Sequence, residues 1–342
     1  MSASLFLVII IIVLALCYDF LNGANDRANA IATVTATKAL TPMNALILAS
    51  IFNLVGACIS TRVAETIGKG IVSPEGITLV IIAAGITGAV IWTFICTAFG
   101  IPISVSHSLV GGLLGAGILA GGSGIINWHI LNDRVFLAIV LGPLGGFIAG
   151  AVLFSIVSWV LFLLFRNIPD TSTERVFKKL QIISASFMAF SHGMNDAQNA
   201  MGVITMALLT GGLIPQFAVP LWVKLGCGIM MGMGTFFFGW RVMKTLGWKL
   251  TRLEPKHGFS AETGAAVAVV LMSLRGMPAS TTHVIASSVI GGTFFQSLRR
   301  IRWTEVEKMV IAWVITIPLA AILGGIASVS YTHLTLPTTP YV

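Results

Sequence analysis

Two stretches of this chain carry the same polar set inside apolar surroundings. Phe20–Ala30 and Phe190–Ala200 both read F-x-x-G-x-N-D-x-x-N-A, at an offset of 170 residues. Each supplies one carboxylate, Asp26 or Asp196, and two amides, Asn25 with Asn29 or Asn195 with Asn199. On a helix, Asn25 and Asn29 share a face, and Asp26 borders it. The set offers amide donors, amide acceptors and hard carboxylate oxygens, which suit an oxyanion and a small cation. An ionisable residue at membrane depth marks a functional site. Its duplication points to a transporter built from two halves around one shared site. Interhelical hydrogen bonding that merely glues a bundle is the competing explanation, but packing does not require the same residues in both halves. Gly23 and Gly193 would let the backbone break or approach a ligand closely.

A second duplication follows each of these. Gly100–His107 and Gly276–His283 share G-x-P-x-S-x-[ST]-H, offset by 176 residues. Pro102 and Pro278 disfavour helix just before them. The hydroxyl residues that follow suit the cap and first turn of a new helix. Such a helix start presents unpaired N–H groups to an anion, and Ser104, Ser106, Ser280, Thr281 and Thr282 can add donors. A simple proline kink, with hydroxyls satisfying freed carbonyls, is the alternative. His107 and His283 are matched; each would orient its hairpin or carry protons, and a structural role is the default. Glu262 opens an apolar run, where it would bind a coupling cation or snorkel to the interface. Arg27 and Arg275 adjoin the motifs; each would attract an anion or, as the default, pair with a carboxylate. No catalytic residues emerge, because no nucleophile–base arrangement is readable, and no cluster suggests a transition-metal site.

The elements that must position these groups are membrane helices. The chain has 342 residues, 56% of them hydrophobic and 9% charged, with a mean hydropathy of +0.95. Soluble domains carry roughly 25% charged residues, so this is an integral membrane protein in contact with a lipid bilayer. Long glycine-containing runs without period-two alternation argue for a helical bundle over a β-barrel. The four cysteines lie in apolar segments and read as small buried hydrophobes. The net charge of +8 does not imply nucleic acid, because most Lys and Arg cluster in loops. That uneven loop charge is the positive-inside signal. The N-terminus lacks a basic leader and cleavage signal, so a retained first helix is expected.

Helices are expected at 4–37 (broken near Gly23), 43–61, 77–98 and 135–165, with a short apolar piece at 105–120. In the second half they are expected at 182–209, 218–240, 259–275 with 283–297, and 309–329. Pro143-Leu144 and Pro318-Leu319 repeat weakly inside the last helix of each half. The fold class is thus an all-α polytopic bundle of two inverted-topology repeats, with broken helices or re-entrant hairpins. The first repeat is 1–165, the linker 166–181 is cytoplasmic, and the second repeat is 182–329. Loop charge puts the N-terminus and 62–76 outside, with Lys38, the linker, 241–257 and 299–308 inside. Each half crosses an odd number of times, which inverts one relative to the other.

Residues 20–30 and 190–200, read with 100–107 and 276–283, resemble the prokaryotic branch of the inorganic phosphate transporter (PiT) family. Trp240–Phe259 with Ala261-Glu262 also looks like that family. The resemblance covers the chain to about Ser328 and implies secondary transport of inorganic phosphate across the cytoplasmic membrane, driven by a cation gradient. It implies that Asn25, Asp26 and Asn29, with Asn195, Asp196 and Asn199, line the phosphate and ion sites. Ser104, Ser106, Ser280, Thr281 and Thr282 join them from the hairpins, and Glu262 joins Asn25, Asp26, Asn195 and Asp196 as a coupling-ion group. Eukaryotic relatives carry a Glu where this chain has Asn53. No cofactor is expected beyond the coupling cation, sodium in preference to protons. A homodimer is among the assemblies considered. Sulfate permease is the nearest alternative. A passive anion channel would not need buried Asp residues, and a receptor would carry a soluble signalling domain. The tail, 330–342, is expected to leave the final helix and to be non-native.

Overall fold

A computed structural model describes residues 3–73, 75–164, 169–244, 250–251, 253–294 and 298–335. Among them no strand occurs beyond a single bridge between Val72 and Ile126. The first half holds α1 (Ala3–Ala36), α2 (Pro42–Ala57), α3 (Arg62–Gly70), α4 (Leu79–Phe99) and α5 (Val105–Gly121). It continues through the one-turn α6 (Trp128–Ile130) and a π-helical turn at Leu131–Phe136 into α7 (Leu137–Leu164). The second half holds α8 (Asp170–Thr210), α9 (Leu221–Phe237), α10 (Trp240–Lys244), α11 (Pro255–Leu274), α12 (Thr281–Phe294) and α13 (Trp303–Thr335).

Local chemistry sets the ends. Thr41 caps α2 by accepting from the Asn44 amide, with Pro42 in the first turn. Thr78 does the same for α4 through Ile81. Gly100 and Gly276 adopt left-handed φ of 73° and 68° just beyond α4 and α11, a conformation that favours glycine at helix ends. From there each chain runs extended and turns back as α5 or α12. Thr93 meets Ser108 at 2.9 Å, and Ser288 donates to the Ala261 carbonyl at 2.8 Å, so each pair is an antiparallel hairpin. At the mouth of α11, Glu254 lies 3.1 Å from Lys256 and 3.4 Å from Arg300. Partial burial acts against its ionisation, but Lys256, His257 and Arg300 together hold its carboxyl below the ordinary range.

The two halves exchange helices. α7 packs on α11 and α12, and α13 packs on α4 and α5; α2 lies on α8, and α9 on α1. These reciprocal contacts relate the halves by a pseudo-twofold axis. Each half thus holds a returning hairpin covered by the last helix of the other half, the arrangement of a bundle of two related repeats. Among the described residues five helices are long and apolar enough to span a membrane, or six if α2 and α3, bent by 67°, form one span. The outward faces of α7 and α13 carry Val140, Trp159, Phe162, Val314 and Ile326, as lipid contact requires.

Several expectations need correction. α1 is continuous through Gly23, and α8 through Gly193. Those glycines serve close packing instead of a break. A Cβ at Gly23 would lie 2.0 Å from the Met231 carbonyl oxygen, and one at Gly193 2.1 Å from that of Asn53. The segment 170–181, assigned to the linker, is the opening of α8. Residues 62–70, read as loop, form α3. α13 continues past 330 to Thr335, and Tyr331 packs against the core, so the start of the tail does extend the final helix. Residues 336–342 lie outside the described part, as do 245–249 of the basic stretch. Of the cysteines, Cys17 is exposed and Cys58 intermediate; only Cys96 and Cys227 are buried.

Candidate functional site

The two duplicated motifs meet at the centre. α1 and α8 pack on each other, bringing Asp26 and Asp196 together with His192, which lies one turn before Asp196. Ligand atoms of these three buried residues all fall within 4.8 Å of one another. His192 Nε2 is 3.4 Å from Asp196 and 3.7 Å from Asp26. Its Nδ1 is 3.0 Å from Asn53 Oδ1, and Asn53 donates to Thr235 at 3.1 Å. The sequence reading found no metal-ligand cluster because the triad is split between halves. Asp26 comes from one repeat and the other two groups from the second.

The hairpin tips close on this pair. Thr282 Oγ1 donates to Asp26 at 2.6 Å, and Thr281 Oγ1 to Asp196 at 3.0 Å. Asn29 donates to Thr282 at 2.9 Å and to Thr281 at 3.1 Å. Its counterpart Asn199 donates to Ser106 at 2.8 Å. Each asparagine therefore reaches the hairpin of the other half. Asn29 Oδ1, Asn199 Oδ1 and Asp196 Oδ1 are buried with no hydrogen-bond partner among the described residues. Each is a hard oxygen acceptor of the kind a small cation takes.

Asn25 and Asn195 act differently. Asn25 donates to Thr97 at 2.9 Å and to the Ile101 carbonyl at 3.2 Å, and accepts from the Ile103 amide at 3.3 Å. Asn195 donates to Ser273 at 2.7 Å and to the Met277 carbonyl at 3.2 Å, and accepts from Ala279 at 3.1 Å. Both amides clamp the extended peptide of the hairpin in their own half, satisfying backbone groups that would otherwise be orphaned in a low-dielectric interior. Ser104 and Ser280 are N-caps, accepting from the His107 and His283 amides at 3.3 Å each. The rings of His107 and His283 meet edge-on with centroids 5.0 Å apart, and His283 lies 3.9 Å from Trp313.

Glu262 does not join the central pair. It is fully buried and accepts from Thr33 and Ser184, with Gln181 at 3.5 Å. Gln181 in turn accepts from Thr37 at 2.6 Å. Thr33 follows Asp26 by seven residues, about 10 Å along α1 at 1.5 Å per residue. Snorkelling is thus excluded. Arg27 is buried and donates to the Phe238 carbonyl at 2.7 Å, at the end of α9. Arg275 lines a surface cavity.

Sequence reasoning missed His192 and Asp19. His192 was visible at one turn from Asp196, but only the fold supplies the second carboxylate. Asp19 is fully buried, with both carboxylate oxygens lacking a partner by hydrogen-bond geometry. Its position seven residues before Asp26, on the same face of α1, was the available signal.

Residues 22–324 match the model of the phosphate transporter family. The chain is 40% identical over 330 residues to a "Probable low-affinity inorganic phosphate transporter" of Bacillus subtilis (strain 168), covering 96% of this chain and 98% of that protein. It is 39% identical over 327 residues to a protein of the same description from Mycobacterium tuberculosis (strain ATCC 25618 / H37Rv), covering 95% of this chain and 78% of that one. A solved structure, "The sodium-dependent phosphate transporter", superposes with a TM-score of 0.87 at 25% identity, covering 96% of this chain and all of the other.

Proposed function

Since this chain belongs to the phosphate transporter family, we propose that it is a symporter that imports inorganic phosphate with sodium across the cytoplasmic membrane. The carrying observation is the paired Asp26 and Asp196, with His192 Nε2 within 3.7 Å of both and Thr281 and Thr282 closed over them. Phosphate would take the hydroxyls of Thr281, Thr282 and Ser106, and the amides of Asn29 and Asn199. A carboxylate can also accept the proton that HPO4 or H2PO4 carries, which sulfate cannot offer.

The coupling follows from charge. Phosphate brings one or two negative charges to a site that already holds two carboxylates. A protonated His192 supplies at most one positive charge. At low dielectric such like-charge crowding costs several kcal/mol, so cations must enter with the substrate. The partnerless oxygens of Asn29, Asn199 and Asp196 suit sodium. Sodium dependence named for the structural relative supports the same choice. Glu262 is a second cation-binding carboxylate in this reading. The repeats run from 1 to about 165 and from about 170 to 335, with the N-terminus outside and the connection between α7 and α8 cytoplasmic.

The test is uptake of labelled phosphate and sulfate into proteoliposomes under an imposed sodium gradient at equal pH, then under a proton gradient without sodium. Phosphate accumulation in the first condition is expected. Accumulation only in the second would replace sodium by protons, accumulation in neither would remove symport, and preference for sulfate would change the substrate.

A further inference from the structure

A cavity of about 860 Å³ opens beside the second hairpin, between α3, the π-helical turn and the end of α11. Its wall carries Arg62 and Lys69 from α3, Arg134 from the turn and Arg275 from the end of α11, against the carboxylates Glu65 and Asp133. These charged side chains are exposed, whereas the floor, Gly276 and Met277, is buried. Met277 begins the extended peptide that reaches Ser280, Thr281 and Thr282, so the cavity adjoins the tip that closes over the two Asp residues.

Part of this charge has a structural task. Arg62 Nη1 donates to the Leu274 carbonyl at 2.5 Å, and Arg134 to that of Arg275. Both therefore serve the negative end of α11. The pseudo-twofold axis supplies the control. At the other end of the molecule Arg241, the counterpart of Arg62, donates to the Ala98 carbonyl at 2.9 Å, at the matching place on α4. The cavity there is about 370 Å³, and Arg241 is the single charged residue among its described lining. One arginine thus suffices to cap a hairpin helix. The capping requirement does not account for Lys69 and Arg275, which add positive charge to this mouth. Lys69 Nζ is held 5.0 Å from the Phe217 ring.

We infer that this chamber is an antechamber for phosphate, a weak electrostatic station that gathers the oxyanion before it passes the hairpin to the carboxylate pair. A cleft with net positive charge concentrates an anion and raises its on-rate, an effect that salt screens. The inference rests on the phosphate reading and the outside placement of α3.

The test is Lys69→Gln combined with Arg275→Gln in right-side-out proteoliposomes. Phosphate uptake is measured at constant sodium while choline chloride raises ionic strength. The wild type should show a KM that rises with salt. The double variant should show a KM raised about 3–10-fold at low salt, a flattened salt dependence and an unchanged kcat, within the range of steering effects. The charge-conserving pair Lys69→Arg with Arg275→Lys should restore the wild-type KM. An unaltered KM and salt slope in the Gln variant would overturn the antechamber, as would an equal loss of kcat in both double variants, which marks a packing role. Absence of phosphate uptake by the wild type would instead refute the parent function.

Discussion

The two sides of the bundle were built from one plan, and they differ where a cation could be held. On one side Glu262 sits in a hydrogen-bond network with Thr33, Thr37, Gln181 and Ser184. The hairpin clamps fix the correspondence between halves, since Asn25 binds Thr97 as Asn195 binds Ser273. By that register Glu262 corresponds to Ile86, Gln181 to Ile11, Ser184 to Leu14, Thr33 to Val203 and Thr37 to Ala207. These five pack in one apolar core. The central layer, by contrast, keeps its carboxylates, amides and N-caps in both halves. The carboxylates and amides of the central layer are duplicated, whereas Glu262, like Asp19 at Ala189, has an apolar counterpart in the other half.

The largest expected effect tests the shared layer. Asp26→Asn or Asp196→Asn should abolish concentrative phosphate uptake while leaving the protein in the membrane, because Asn is nearly isosteric and removes only charge. Wild-type uptake in both would break the symmetric half of the comparison. Next is the asymmetric pocket. Glu262→Gln should lower sodium-driven accumulation about tenfold, the factor that 1.4 kcal/mol represents, yet leave phosphate binding measurable. Equal loss of binding and accumulation would place Glu262 in the shared layer. Smaller again is the pair Ser104→Ala and Ser280→Ala. Each removes an N-cap, at about 1 kcal/mol of stability, and thermal unfolding should show similar losses for the two. A loss in only one would mean that the hairpins are not equivalent. Smallest is truncation. Removing 336–342 should leave transport unaltered. Cutting from Tyr331 should lower thermal stability slightly, because Tyr331 packs on the core.

The repeat was legible because carboxylates, amides and a Pro–Ser–His signature are rare in apolar sequence and recurred at near-constant offsets. The helix starts at Ser104 and Ser280 were legible for the same reason, whereas 259–297 read equally as a re-entrant hairpin or a pair of spans. The exchange of α7 and α13 between halves was not, since apolar faces carry no record of their partner. Gly23 and Gly193 misled because a glycine beside a polar motif signals either a break or close packing, and only the neighbouring helix decides. The division of labour between Asn25 and Asn29 was hidden as well. Both amides share a helix face, but Asn25 is consumed by its own hairpin while Asn29 crosses to the other. Asp19 went unnoticed because its position in the second half is Ala189, so no repeat flagged it.

The central claim is that the paired carboxylates bind phosphate only together with sodium. Equilibrium binding of labelled phosphate to the purified protein, titrated with sodium at constant ionic strength and pH, tests it directly. The account predicts that wild-type affinity rises steeply with sodium, and that Asp26→Asn and Asp196→Asn each flatten that dependence to a similar degree. Sodium-independent phosphate binding by the wild type, or unchanged sodium dependence in both variants, would contradict it.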